Sequence, residues 1–353
     1  MTARAPLTGP SVWLGAEMAR STRWLRDFSA DHVGEIDAAL AQVRRRGLAW
    51  SEIKREDFPL PTVSALLADA ADELENGSGM VKLRGLPVAR YDDAALRAIY
   101  FGLGLNLGTP VFQNRRGELM RAIRDEGADV GRRYGQIEGK AGEAPFLSSY
   151  ARTLSNGRLR FHTDRTDAVG LFCLRQARAG GVSKISSTGA IHNAMLERRP
   201  DLLDVLFQDV WRSRLGEESD APASVYPLPI FGLRAGKLTS HFSLTYIEAA
   251  ELVPHVPKLT PAQREAIGML LDLAEALSFE MTLEPGDLQL LNSHMTYHGR
   301  TAFEDDKSSG RDRLLLRLWL AMPNSRALPP GHEVLWGNIA AGAKRGGIGQ
   351  VPA

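Results

Sequence analysis

Phe161-His162-Thr163-Asp164 and, far along the chain, Tyr297-His298-Gly299-Arg300 are the two stretches on which the reading of this sequence turns. In an extended strand residues i and i+2 point to the same face, so His162 and Asp164 present an imidazole and a carboxylate side by side. A second imidazole completes a three-donor metal site, and His298 is the candidate for it. His294, four residues earlier and on the same face of a straight strand, competes for that place; the His-Gly-Arg context favours His298.

A His-x-Asp by itself is a weak signal in a chain with eight histidines, where a strand histidine satisfied by its neighbour is the ordinary alternative. The surroundings strengthen it. From about residue 147 the texture becomes short apolar stretches with turn signals: Leu159 to Asp164, Ala168 to Gln176, Val182 to Ser187, Met281 to Leu283, Leu288 to Leu291 and Leu314 to Ala321. Helical spacing interrupts them at Thr188 to Glu197 with Asp201 to Phe207, and at Pro261 to Leu277. Gly180-Gly181-Val182-Ser183 follows one predicted strand. Pro285-Gly286-Asp287 makes a tight turn into the strand leading to Asn292, His294 and His298. Many short strands with long crossing connections predict a mainly β fold with flanking helices, a double-stranded β-helix or jelly roll.

The last predicted strand is informative in its alternation. Leu314, Leu316, Leu318 and Leu320 form one apolar face, while Arg313, Leu315, Arg317 and Trp319 lie on the other. Two arginines on a core-side face are costly unless each meets an anion. Either local carboxylates pair with them, or their guanidinium forks bind a carboxylate inside the barrel. Their Cα atoms are expected roughly 13 Å apart, so they serve different ends of a ligand.

Upstream, residues 1–79 read as an N-terminal helical arm, with helical spacing over Val33 to Arg46 and Thr62 to Leu74. Met80 to Gly85 reads as a strand that opens the main domain, 80–330, and Asp92 to Leu103 as a helix. Gly102, Gly104 and Gly108 invite a dinucleotide-loop reading, but they end a helix rather than follow a strand, which is the wrong context. Residues 115–145 are polar and glycine-rich, a surface excursion over a cleft. An insertion at about 210–258 is expected to form a lid, and 331–353 a C-terminal tail. Gln113, Asn114, Arg121 and Tyr246 are candidates for the substrate mouth. His32, His192, His241, His255 and His332 read as structural or surface residues.

The 43 Lys+Arg against 42 Asp+Glu leave no global charge bias, which argues against nucleic acid or an anionic membrane as partner. No apolar run approaches the roughly 20 residues of a membrane span. The single cysteine, Cys173, sits in an apolar run and reads as a small buried hydrophobe. A cytoplasmic protein with a small-molecule substrate is expected, and a homo-oligomer is compatible with the sequence.

Two His and one carboxylate form the facial donor set of non-heme Fe(II) oxygenases. Over roughly 80–322 the sequence resembles the taurine/α-ketoglutarate dioxygenase (TauD/TfdA) family of Fe(II)- and 2-oxoglutarate-dependent oxygenases. The resemblance rests on Lys82-Leu83-Arg84-Gly85, His162-Thr163-Asp164, Gly180-Gly181, Pro285-Gly286-Asp287, His298-Gly299-Arg300-Thr301, Arg313 and Arg317. It implies that His162, Asp164 and His298 bind Fe(II) and that Arg313 anchors the far carboxylate of 2-oxoglutarate. Ser183 stands where the family often has Thr, and keeps the hydroxyl for a hydrogen bond to 2-oxoglutarate. Arg317 then reaches the metal-proximal carboxylate or an anionic group of the substrate. The implied reaction uses O2 and hydroxylates or desaturates a small to medium polar, anionic molecule, with release of succinate and carbon dioxide. Asp164 argues against halogenation, which needs that ligand position vacated. Two other readings use the same residues: a non-catalytic small-molecule binding or sensor protein, and a zinc-dependent hydrolase.

Overall fold

The computed structural model describes residues 4–137, 145–214 and 225–349. The short strand β1 (Leu25–Asp27) is followed by α1 (Ala30–Arg45), α2 (Val63–Asn76) and β2 (Met80–Arg84). Next come α3 (Asp93–Leu107), β3 (Thr109–Pro110) and β4 (Met120–Ile123). The strands β5 (Leu159–His162), β6 (Ala168–Arg175) and β7 (Ser183–Ser187) lead into α4 (Thr188–Arg198), α5 (Pro200–Leu206) and α6 (Pro261–Ala276). The chain returns through β8 (Phe279–Met281), β9 (Leu288–Asn292), β10 (Thr296–Arg300) and β11 (Leu314–Ala321).

These strands make two sheets. The larger runs β1-β2-β9-β6-β11-β3, with β4 also paired to β11; the smaller runs β8-β7-β10-β5. One buried cluster draws Met80, Val169, Cys173, Leu291, Leu315 and Trp319 from the large sheet and Ile185, Phe279 and Met281 from the small one. The two sheets therefore pack face to face. On the outer face of the large sheet, Leu314, Leu316, Leu318 and Leu320 pack against α1, α2 and α3. On the outer face of the small sheet, Phe161 and Tyr297 pack against α4, α5 and α6. Each fully buried leucine contributes about 1.5–3 kcal/mol relative to exposure, so the phase of β11 is strongly set. A slip of one residue would drive Arg313 and Arg317 into the helix layer.

Several expectations shift. α3 continues through Gly102 and Gly104 to Leu107, and Gly108 ends it. A β-carbon at Gly102 would lie 2.4 Å from the Phe58 ring and one at Gly104 2.7 Å from Leu318, so these glycines serve close packing, not helix termination. The strand before His298 does not run straight: Ser293 to Met295 form a turn between β9 and β10. That turn takes His294 off the strand face. The polar stretch 115–145 contributes β4 to the large sheet, while 138–144 lie outside the described residues. The strand expected at Met281 to Leu283 is displaced to Phe279–Met281.

The insertion begins with an antiparallel hairpin, Asp209–Ser213 with Val225–Pro229, whose connection 215–224 lies outside the described residues. A second hairpin, Phe231–Arg234 with Lys237–Ser240, precedes the helix Leu244–Glu251. Arg212 is buried here and donates to the carbonyls of Leu228, Pro229 and His241. Cys173 is buried and unpaired. Among the described residues no helix is long and apolar enough to cross a membrane.

The C-terminal segment folds back across the centre of the molecule. Arg345 Nε donates to Asp167 Oδ1 at 2.8 Å and its Nη2 to the Arg326 carbonyl at 2.6 Å. The pair is essentially excluded from solvent, at 0% and 2% side-chain exposure. Gly346 and Gly347 both take positive φ and press against Arg165 and Phe112, with Gly347 N donating to Arg165 O at 2.7 Å. Removing one partner of a buried ion pair leaves the other uncompensated. Arg345→Leu is therefore expected to cost about 3–5 kcal/mol of stability, read from urea denaturation; a loss below about 1 kcal/mol would show that the strap does not hold the fold.

Candidate metal centre

The small sheet brings the two distant motifs together by register. His298 on β10 is the direct cross-strand partner of His162 on β5. Their rings lie 4.2 Å apart between centroids. The chain leaves β5 at Thr163, whose N–H donates to the Phe242 carbonyl at 2.8 Å and whose hydroxyl accepts from Phe242 N at 3.0 Å. Asp164 then turns in beside the imidazoles. His162 Nε2 lies 3.7 Å from Asp164 Oδ1, and His298 Nε2 3.9 Å from Asp164 Oδ2.

These three side chains offer donor atoms within 4.8 Å of one another, and no other such group of three occurs among the described residues. His162 Nδ1 lies 2.9 Å from the Arg160 carbonyl. That contact places the ring proton on Nδ1 and leaves the Nε2 lone pair facing the carboxylate. Burial holds the His162 imidazole below its ordinary pKa, and burial together with His162 pushes His298 down to about 3. Burial works to raise the Asp164 carboxyl, but the Arg317 charge, the two imidazoles and the Trp319 indole outweigh it and hold it below the usual range. At neutral pH the site is two neutral imidazoles and one carboxylate. This is the protonation state that a divalent metal requires.

β11 supplies support from the opposite sheet. Trp319 Nε1 donates to Asp164 Oδ2 at 3.0 Å, and Arg317 Nη1 lies 3.9 Å from the same oxygen. Arg317 is in turn held by Gln113, whose Oε1 accepts from Arg317 Nε at 2.7 Å and whose Nε2 donates to the Arg317 carbonyl at 2.8 Å. Arg313 lies two turns of the pleat away, buried, with Nη1 making no hydrogen bond among the described residues. Its guanidinium lies 5.2 Å from the Phe303 ring, whose other neighbour is Arg300 at 4.7 Å. Burial pushes Arg313 down to about 10, and burial with the Arg313 charge pushes Arg300 down to about 9. Arg300 donates to the carbonyls of Ser155 and Gly157, and Asp305 is the nearby acid that acts on both arginines.

The remaining sequence candidates divide. Gln113 and Tyr246 line the cleft beside Asp164, together with Tyr150, Thr163, Ser243 and Ile348. That cleft encloses about 20 Å3, room for a water molecule. Asn114 lies behind this wall, donating to Glu118 and to the Tyr150 hydroxyl. Arg121 pairs with Glu118 and Glu126 and does not line the cleft. Ser183 is buried on β7, its hydroxyl 3.5 Å from Gln289 Oε1. His294 is occupied elsewhere, with Nε2 2.8 Å from Asp167 Oδ1.

Trp319 and Ile348 went unread as site residues. The phase of β11 already put Trp319 on the face of the two arginines. Ile348 carries no sequence signal; its place depends on the strap at Arg345 to Gly347.

A family model for the taurine catabolism dioxygenase TauD, TfdA family matches residues 22–319. FR-33289 synthase of Streptomyces rubellomurinus (strain ATCC 31215) is 31% identical over 347 residues, 96% of this chain and 97% of that protein. Among solved structures, asparagine oxygenase in complex with Fe(II), 2S,3S-3-hydroxyasparagine and succinate superposes with a TM-score of 0.63 at 16% identity, covering 91% of this chain and 100% of that one. The non-heme iron oxygenase OrfP in complex with Fe and α-ketoglutaric acid gives 0.59 at 15% identity, over 84% and 93% of the two chains. At these identities the structural likeness bears on the fold. The family match spans most of the sequence and both motifs, and the donor set it requires is assembled between the sheets: the chain belongs to the TauD, TfdA family and is an Fe(II)- and 2-oxoglutarate-dependent oxygenase.

Proposed function

We propose that His162, Asp164 and His298 hold the Fe(II), that Arg313 with Ser183 anchors the far carboxylate of 2-oxoglutarate, and that a small to medium polar, anionic molecule is hydroxylated in the cleft beside Arg317. The observation that carries this reading is the convergence of three deprotonated donors within 4.8 Å, with a buried, unpartnered arginine nitrogen at the start of β11 in the facing sheet. When bound, iron and 2-oxoglutarate supply the oxidation of substrate by O2, with succinate and carbon dioxide as co-products.

The chain's own residues position and shield. Trp319 and Arg317 fix the Asp164 carboxylate and keep it ionised. Arg160's carbonyl orients His162. Arg313 is buried with an unpartnered nitrogen, and a ligand carboxylate provides the anion that balances it. Gly181 lies against the same guanidinium, its ideal β-carbon 3.0 Å from Arg313 Nε, and Ser183 follows two residues later. Gln113 holds Arg317 facing the cleft, ready for the metal-proximal carboxylate or a substrate anion.

The two packed sheets support a double-stranded β-helix, and the insertion supports a lid. Its residues 241–243 are bonded to Thr163, between the two proposed ligands, and Ser243 and Tyr246 narrow the cleft. A cleft of about 20 Å3 admits no substrate until this wall moves. The free, buried Cys173 is in keeping with a cytoplasmic location.

The first test is an anaerobic titration with Fe(II) and then 2-oxoglutarate. A visible charge-transfer band is expected, absent in His162→Ala and Asp164→Ala variants that remain folded; a band unchanged in either variant would remove that residue from the ligand set. Arg313→Leu should raise the 2-oxoglutarate concentration needed for the band by roughly 30-fold or more while iron binding holds, since it truncates one partner of a buried charge pair. Trp319→Phe keeps the ring and removes the donor to Asp164. It should weaken metal affinity by about tenfold or more, as loss of an outer hydrogen bond to a ligand does, and an unaltered affinity would reduce Trp319 to packing.

A further inference from the structure

Each proposed ligand has a chain neighbour that the insertion grips. Thr163, between His162 and Asp164, meets Phe242: its N–H donates to the Phe242 carbonyl at 2.8 Å, and its hydroxyl accepts from Phe242 N at 3.0 Å. His162 itself pairs with Ser243 in an isolated antiparallel bridge. Tyr297, next to His298 on β10, meets Ser240. The Ser240 hydroxyl donates to the Ile230 carbonyl at 3.0 Å, so it accepts from the Tyr297 hydroxyl at 2.6 Å. Phe242 packs against the Tyr297 ring, at 5.6 Å between centroids. The short segment 240–243 thus touches both the strand of His298 and the turn between His162 and Asp164.

The segment is itself held firmly. Ser240, His241 and Phe242 are buried, with Ser240 N donating to the His294 carbonyl and His241 N to the Ile230 carbonyl, both at 3.1 Å. Arg212 Nη2 donates to the His241 carbonyl at 2.9 Å. A buried imidazole is costly unless it is hydrogen-bonded, and the ring of His241 places its bond on Thr163. The Thr163 hydroxyl has one proton, and its oxygen already accepts from Phe242 N. That proton goes to His241 Nδ1 at 3.0 Å, because the Phe242 carbonyl is farther, at 3.4 Å, and already takes the Thr163 N–H. The ring hydrogen is then on Nε2, which has no hydrogen-bond partner among the described residues. Burial and the Arg212 charge hold the imidazole well below its ordinary pKa, so it stays neutral.

We propose that His241 is a positioning residue for the metal centre: through the Thr163 hydroxyl it fixes the turn between His162 and Asp164, so that the insertion, and not the small sheet alone, sets the spacing of the three donors. This rests on the proposed assignment of His162, Asp164 and His298 as ligands. Pairing of β5 with β10 places the two imidazoles, but Asp164 lies beyond the end of β5 and has no ladder partner there. Its backbone takes its place from Thr163. Donors bind a metal tightly when they are held in the bonding arrangement beforehand, so loosening Thr163 acts on the metal without altering a ligand.

The test is anaerobic titration of the whole protein with Fe(II), and with Co(II), whose visible spectrum reports its coordination, alongside urea denaturation of the metal-free forms. His241→Leu keeps the core filled but offers no polar atom; it is expected to weaken binding of both metals by about tenfold or more and to alter the Co(II) spectrum. His241→Asn sets an amide oxygen where Nδ1 stands and should restore most of the affinity, although its smaller side chain lowers stability further. Thr163→Val should behave as His241→Leu does, and Thr163→Ser as the unaltered protein. Metal affinity that merely follows stability, with Asn below Leu, would reduce His241 to packing. Unchanged affinity in Thr163→Val would overturn the proposal as well, and this isosteric change decides the matter if His241→Leu does not fold. Unaltered protein that binds neither metal would remove the ligand assignment and this proposal with it. Binding lost in His162→Ala but kept in the variants at 241 and 163 would leave the ligand set standing and overturn the positioning role alone.

Discussion

Asp164 is ionised in a place where a carboxylate is costly, and the centre of the molecule is arranged around meeting that cost. Burial alone would protonate it. Instead the large sheet supplies an indole N–H at 3.0 Å and a guanidinium at 3.9 Å, and the small sheet supplies two imidazoles that face the same oxygens. The charge is thus balanced from the large sheet, while the small sheet brings two neutral imidazoles against the same oxygens. Separating the sheets would strand a carboxylate on one side and an arginine on the other, so the packing of the core and the electrostatics of the site reinforce each other.

β11 does this work through its period of two. Its even leucines secure the helix layer, and that packing fixes where its odd residues point. Arg317 and Trp319 reach Asp164, while Arg313 lies far enough along the strand to serve a different anion. Both arginines are buried, yet they are treated differently by the fold. Arg317 has Gln113 and Asp164 as partners, whereas Arg313 retains an unpartnered nitrogen and a guanidinium that burial has made less basic. On the proposed reading, the far carboxylate of 2-oxoglutarate is the partner that Arg313 lacks.

A second buried network lies just beyond the first. Asp167, three residues after Asp164, gathers His294, the Met322 N–H and Arg345. The strap that brings Arg345 there also sets Ile348 in the wall of the cleft beside Asp164. The segment from Arg345 to Gly347 is tied by a charge pair and two closely packed glycines beside the wall of the cleft. Residues that shape access are therefore drawn from three remote places: the loop at Gln113, the insertion helix and the C-terminal segment.

Much of this was legible in the residues. Alternation on the last strand, the His-x-Asp pair and the tight Pro-Gly-Asp turn are local signals, and local stereochemistry translates them into strands, faces and donor types without knowledge of the rest of the chain. The identity of the donor set and the two faces of β11 follow from that. Three things do not. Whether His294 or His298 stands opposite His162 depended on a turn at Ser293 to Met295, which only the pairing of β9 and β10 with different sheets imposes. Gly102 and Gly104 stop no helix, because the side chains that press on them come from elsewhere in the chain. The part of the cleft wall made by Gln113, Tyr150 and Ile348 is assembled from segments whose sequences carry no period and no motif. Sequence by itself determined which groups the site would be made of, since backbone geometry sets side-chain direction over a few residues. Which of those groups meet, which arginine is left without a partner, and what surrounds the cleft were decided by tertiary structure, because contacts between distant segments exist only once both sheets have closed on one another.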